Sequence, residues 1–152
     1  MHLIQALNFV GHVAMRGGVI LFTTHNKRHY DAATYCAERC GEYAVVGDPL
    51  HVIPTDPGKI LPDVVVMFTN KSTEIDTLNR WVTWSAEFCI PTIALCDSDT
   101  DPTPISFPIP GSDDHDYPVE LLSHWFSTVI NEGKQTRKTV DQLFESHYSK
   151  GI

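Results

Sequence analysis

Four short runs of this chain are apolar without polar alternation: 19–22 (VILF), 43–46 (YAVV), 64–68 (VVVMF) and 92–96 (TIALC). They constrain the fold more than any other feature. A strand with one wet face alternates polar and apolar residues, whereas a strand that is apolar on both faces belongs in a sheet covered on both sides, as parallel sheets are. Between these runs the apolar spacing becomes helical. Leu3, Ala6, Leu7, Val10 and Ala14 predict an amphipathic helix over 2–16, stopped by Gly17 and Gly18. Ala32, Ala33, Cys36, Ala37 and Cys40 predict a helix over 31–40, ended by Gly41. Ile75, Leu78, Val82 and Ala86 predict the inward face of a helix over 72–89. Leu122, Trp125, Phe126, Val129 and Ile130 predict a strongly apolar helix over 119–131. After Gly133 a separate last helix is expected over 134–148, with Val140, Leu143, Phe144 and His147 on one stripe.

Two segments fit neither period. Residues 47–62 hold four prolines and two glycines and predict a loop. Residues 105–109 read as a short extended piece that its prolines confine to a sheet edge. Strands that alternate with helices, joined by right-handed crossovers, leave few topologies. The expected fold is a three-layer α/β/α domain with a parallel sheet, Rossmann-like or flavodoxin-like. At 152 residues and 42% hydrophobic content, the chain suits one domain with a real core. No repeat, low-complexity segment or second domain is visible in it.

Charge narrows the function. The net charge of −8 argues against a protein that coats nucleic acid by bulk attraction. It leaves room for local cationic contacts. Lys27 and Arg28 follow the first strand, Lys71 follows the third, and Lys134, Arg137 and Lys138 open the expected last helix. Cations at a helix N-terminus oppose its dipole, so local stability does not explain that cluster. A phosphate backbone nearby would explain it, and a solvated face is the alternative. No apolar run approaches the roughly 18 residues of a membrane span. The opening MHLIQALNFVGHVAMRGG lacks the basic and small-residue features of a signal peptide.

The turn after the first strand, TTHNKRH, has no glycine, and no phosphate-binding loop appears elsewhere, so standard nucleotide binding is rejected. Asp97, Asp99 and Asp101 have the spacing of a magnesium-dependent phosphotransferase, with Asp97 as nucleophile and Asp99 as acid. However, they follow the fourth strand rather than the first. Turn chemistry, in which Asp and Ser bond their own backbone ahead of Pro102, accounts for them. Asp113, Asp114 and Asp116 suit the N-terminus of the following helix. His25 and His29 stand four apart without an evident third ligand, and surface histidines are equally expected. The cysteines Cys36, Cys40, Cys89 and Cys96 form no CxxC pair and read as buried small apolar residues in a reducing compartment.

The stretch IPTIALCDSDTDP followed by FPIPGSDD resembles one family closely, that of small-subunit ribosomal protein S2. LNFVGHVAMRGGVILF resembles the family's first helix, Arg-Gly-Gly turn and strand. AERCGEYA is similar to the next helix end and strand in the form typical of mitochondrial members, and LPDVVVMF to the Pro-Asp that leads the third strand. The likeness covers roughly residues 3–140, with its motifs in order. It implies a structural constituent of the mitochondrial small ribosomal subunit, localised to the matrix ribosome. The implied partners are small-subunit rRNA and neighbouring small-subunit ribosomal proteins. No catalysis, cofactor, metal, membrane or small-molecule substrate is implied. The chain departs from the family in two places. The long helical-hairpin insertion of bacterial members is replaced by VVGDPLHVIPTDPGK, and the RNA-contacting segment ahead of the first helix is not present. Both departures imply fewer standard rRNA contacts. Two other readings stand beside this one: a small magnesium-dependent phosphatase using Asp97 and Asp99, and a family-derived binding scaffold outside the ribosome.

Overall fold

A computed structural model describes residues 2–24, 27–46, 61–68, 80–97, 102–111 and 116–149. Five strands, β1 (Ile20–Thr24), β2 (Tyr43–Val46), β3 (Val64–Met67), β4 (Thr92–Cys96) and β5 (Phe107–Pro110), form one sheet. Every pairing is parallel, in the order β2-β1-β3-β4-β5. That order is the flavodoxin type of doubly wound sheet. The helices are α1 (His2–Met15), α2 (Tyr30–Cys40), α3 (Arg80–Glu87) and α4 (Asp116–Ser149).

Successive strand residues serve two separate cores. Ile20, Phe22, Val64, Val66, Ile93 and Leu95 join the core on the face of α1, α2 and α4. Leu21, Val65, Met67, Ala94 and Cys96 join a second core with Trp81, Val82 and Trp84 of α3. This is why β1, β3 and β4 are apolar without alternation: each pleat direction meets a helix layer. The edge strand β2, expected to be covered on both sides, instead leaves Tyr43 and Val46 exposed. The register aligns Ala44, Phe22, Val66, Ile93 and Phe107 in one row across all five strands. Each fully buried large side chain of such a row contributes about 1.5–3 kcal/mol.

β5 takes the sheet edge, as its prolines require, because Pro108 and Pro110 have no N–H to donate to a second neighbour. Ser106 and Thr92 lock its register: each backbone N–H donates to the other's hydroxyl, at 3.2 and 3.1 Å.

Two helix ends follow the glycine expectation. Gly17 and Gly41 are left-handed, with φ of 78° and 69°. The N–H groups of Gly17 and Gly18 donate to Ala14 and Val13, and those of Gly41 and Glu42 to Glu38 and Ala37. Each pair satisfies last-turn carbonyls that would otherwise lack donors.

Gly133 behaves differently. The two helices expected on either side of it are one 34-residue helix, α4. A Cβ at Gly133 would lie 2.7 Å from the Gly11 carbonyl oxygen and 3.1 Å from the Ala14 Cβ. Gly11 is close in turn, its own Cβ position lying 3.0 Å from Val129 Cγ1. Gly133 is therefore the contact point of two helices, not a break in one.

Other details differ from the sequence reading. In α3 the buried side is Trp81, Val82, Trp84 and Ser85, and Ala86 is exposed. Residues 72–79 lie outside the described residues, with Ile75 and Leu78 among them. Cys89 is exposed and left-handed at φ 56°, where it ends α3 in place of a glycine. His29, expected at the surface, is buried. The expected loop lies outside the described residues over 47–60.

Candidate functional site

The candidate cations lie at two ends of α2. Lys27 and Arg28 form an exposed 3-10 turn, Lys27–His29, between β1 and α2, at the carboxyl end of the sheet. Arg28 opens a groove of about 560 Å³ between α2 and α4, together with Asp31, Tyr35, Arg39, Glu120 and His124. Arg39 Nη1 donates to His124 Nδ1 at 3.0 Å across that groove. The groove mixes two cations with two carboxylates, so it is not a uniform anion trap. Lys71 lies outside the described residues.

The second group sits past the other end of α2, about 16 Å away by the rise of an eleven-residue helix. The expectation that Lys134, Arg137 and Lys138 begin a helix is overturned, because α4 runs through them without a start. The dipole argument for a phosphate partner therefore lapses at that position. Lys134 turns inward. Its Nζ donates to the Cys40 and Gly41 carbonyls at 2.6 and 3.3 Å and pairs with Glu42 Oε1 at 2.8 Å. The Glu42 side chain is only 4% exposed, and its other oxygen accepts the N–H of Ile20 at 3.2 Å. One carboxylate and one ammonium thus join the first residue of β1, the turn into β2 and the middle of α4. Asn131 adds a bond to the Arg39 carbonyl at 3.4 Å. Arg137 is also occupied by the fold: Nη1 reaches the Met15 carbonyl at 3.4 Å, and Nε pairs with Asp141 at 3.3 Å. Lys138 is exposed.

Sequence reasoning missed Glu42, yet a signal was there. It is the lone charge between a helix-ending glycine and an apolar strand, where a carboxylate that becomes buried needs a partner. Asp63 works in the same layer. Its Oδ2 accepts the Val19 N–H at 2.7 Å and its own N–H donates to the Val19 carbonyl at 2.8 Å, pinning the entries of β1 and β3 together. That is the physical content of the Pro-Asp leading β3.

Of the carboxylates considered for catalysis, Asp97 is half-buried at the end of β4 and Asp116 opens α4, while Asp99, Asp101, Asp113 and Asp114 lie outside the described residues, as does His25. Among the described residues no three His, Cys, Asp or Glu side chains come together as metal ligands would. Cys36 and Cys40 serve packing: the Cys40 thiol donates to the Cys36 carbonyl at 3.0 Å and the Cys36 thiol to the Ser123 carbonyl at 3.3 Å, tying α2 to α4. The bond with Cys40 and then burial push the Cys36 thiol well above the ordinary range. No described helix is long and apolar enough to cross a membrane.

The comparisons with known proteins bear on this frame directly. The family model for ribosomal protein S2 matches residues 55–133, slightly more than half of the chain. The chain belongs to the ribosomal protein S2 family. Small ribosomal subunit protein uS2m of Bos taurus is 32% identical over 156 aligned positions, which cover 99% of this chain and 53% of that relative. The uS2 protein of Corynebacterium glutamicum strain R is 43% identical over 49 residues, 32% of this chain and 19% of its own. The uS2c protein of Mesostigma viride is 35% identical over 79 residues, 52% of this chain and 32% of its own. The chain thus spans about half the length of the bovine relative. The parallel sheet flanked by helices is consistent with that family.

Proposed function

We propose that this S2-family chain is a structural constituent of the mitochondrial small ribosomal subunit, without catalytic activity of its own. The likeness to bovine uS2m along 99% of the chain carries this reading. In it the chain contacts small-subunit rRNA and neighbouring ribosomal proteins and contributes to subunit assembly and translation in the matrix. The acidic balance supports a protein held by its neighbours as much as by RNA.

Of the six candidate cations, Lys27, Arg28, Arg137 and Lys138 are exposed, and Lys27, Arg28 and Lys138 are the ones assigned here to rRNA phosphates. Lys71 belongs with them by its place after β3. Lys134 and Arg137 serve the fold first, and any phosphate contact of theirs is secondary. Phosphate contacts position a protein without reading sequence. Charge reversal of Lys27 and Arg28 together is therefore expected to lower the slope of log K against log salt for small-subunit rRNA by roughly 1.5–2 units. An unchanged slope refutes those contacts. Depletion of the protein tests the wider role: mitochondrial small-subunit rRNA and mitochondrial translation should fall together, and unchanged levels of both count against it.

A further inference from the structure

The distal half of α4 leaves the domain with its apolar face uncovered. Every residue from 135 to 148 is exposed, along about 20 Å of helix. Val140, Leu143, Phe144 and Tyr148 are 53%, 66%, 61% and 60% exposed. Phe144 and Tyr148 pack on each other, with ring centroids 4.4 Å apart, and hide little of either.

These residues continue a seam that is already in use. Phe126, Gly133, Val140 and His147 recur every seven residues, as do Ile130, Arg137 and Phe144. The proximal part of the seam is buried against α1, where Gly133 allows contact with Gly11 and Ala14. α1 then ends, Arg137 bonds its Met15 carbonyl, and Gly17 turns the chain away into β1. Beyond that point the seven-residue pattern runs on without a helix among the described residues to meet it. A seven-residue apolar period is what one helix presents to another.

The occupant can be narrowed. The four large side chains expose on the order of 400–500 Å², near the upper end for a monomer's largest apolar patch. That is roughly half of the ~800 Å² per partner that a stable pairwise interface needs. The open seam also spans only about two heptads, against the three or four of a self-sufficient coiled coil. Two copies pairing through it alone would be too weak. A partner held nearby by other contacts, as within a large assembly, would not. The charge bordering the open stripe is the Arg137–Asp141 pair, and a run of RNA phosphates complements only one of its members. Aliphatic Val140 and Leu143 offer RNA neither charge nor a stacking ring.

We infer that the distal half of α4 docks an α-helix of a neighbouring small-subunit protein, one that carries an apolar seam at heptad spacing. This inference rests on the ribosomal reading above, and the test separates the two. A tagged chain is expressed with a diazirine amino acid at Leu143, on the seam, or at Gln142 or Ser146, on the polar side. Small-subunit particles are isolated on gradients, irradiated, and the adducts mapped by mass spectrometry. The expected result is one protein adduct from position 143, on a peptide with heptad apolar spacing, at least about tenfold above positions 142 and 146. Particles that contain the chain but give equal yields at all three positions overturn the inference. So do adducts from 143 to RNA, to a second copy or to the chain itself. A chain absent from small-subunit particles removes the ribosomal reading, and the inference with it. As a folding control, Leu143→Asp with Phe144→Asp should unfold at the parent temperature and yet enter particles less well. Undiminished entry also overturns the inference.

Discussion

Replacing Gly133 by alanine separates two accounts of α4 by the sign of the effect. If Gly133 were only a weak point in a helix, alanine would stabilise the chain by about 1 kcal/mol through helix propensity. The geometry opposes that gain. The new methyl would lie 2.7 Å from the Gly11 carbonyl oxygen, 3.1 Å from the Ala14 Cβ and 3.3 Å from the Met15 nitrogen. Comfortable carbon contacts are nearer 3.5–4.0 Å. All three obstacles are backbone or Cβ atoms, so no rotamer change relieves them, and α1 must withdraw from α4. Overpacking costs about 1–3 kcal/mol, and three obstacles that no rotamer change relieves put Gly133→Ala in the upper part of that range, about 2–3 kcal/mol. Withdrawal also loosens contacts around Val10, Ala14 and Ile130, all of which are buried. A net loss of about 1–2 kcal/mol is expected after the propensity gain, which for a chain of this size lowers Tm by roughly 2–8 °C. Thermal unfolding of the purified chain, followed by circular dichroism at fixed concentration, measures it. Gln135→Ala, on the exposed surface two residues on, is the control and should stay within about 0.5 kcal/mol. An unchanged or raised Tm for Gly133→Ala would refute the packing argument.

Four further outcomes follow from other contacts in the structure. Lys134→Met leaves the buried Glu42 carboxylate without its cation and two carbonyls without a donor. A broken buried pair costs about 3–5 kcal/mol, reduced here to roughly 2–3 because Lys134 keeps 33% exposure. Arg137→Ala, at an exposed i,i+4 pair, should cost under about 0.5 kcal/mol, and equal losses in denaturant unfolding would contradict this assignment. Asp63→Ala removes the acceptor of the Val19 N–H and should cost about 1 kcal/mol in the same assay, while a neutral result argues that the backbone bond alone pins β1 to β3. Iodoacetamide should modify exposed Cys89 first and Cys36 only on unfolding, as burial and the bond to Cys40 keep that thiol protonated; peptide mapping that finds Cys36 alkylated at the Cys89 rate in native protein would be the contrary result.

The sheet was legible because its signal is redundant. Each of β1, β3 and β4 had to be apolar in both pleat directions, and short runs bounded by glycine, proline or aspartate with β-branched residues inside them are too short for a buried helix. Glycine was ambiguous for a physical reason. Gly17 and Gly41 supply a left-handed backbone and end helices, whereas Gly133 supplies the lack of a side chain inside one. Only the partner helix, far away in sequence, distinguishes the two uses. The basic cluster failed for the same reason. Whether Lys134 faces phosphate or protein depends on Glu42, 92 positions earlier, and no local pattern joins them. The exposed stripe on distal α4 was legible as a stripe, and its lack of a cover was not.

Sedimentation of the tagged chain from a mitochondrial lysate, with sequencing of the RNA in each fraction, tests the central claim most directly. The account predicts comigration with the small subunit and its rRNA, lost on ribonuclease treatment or removal of magnesium. A light peak free of small-subunit rRNA would contradict it.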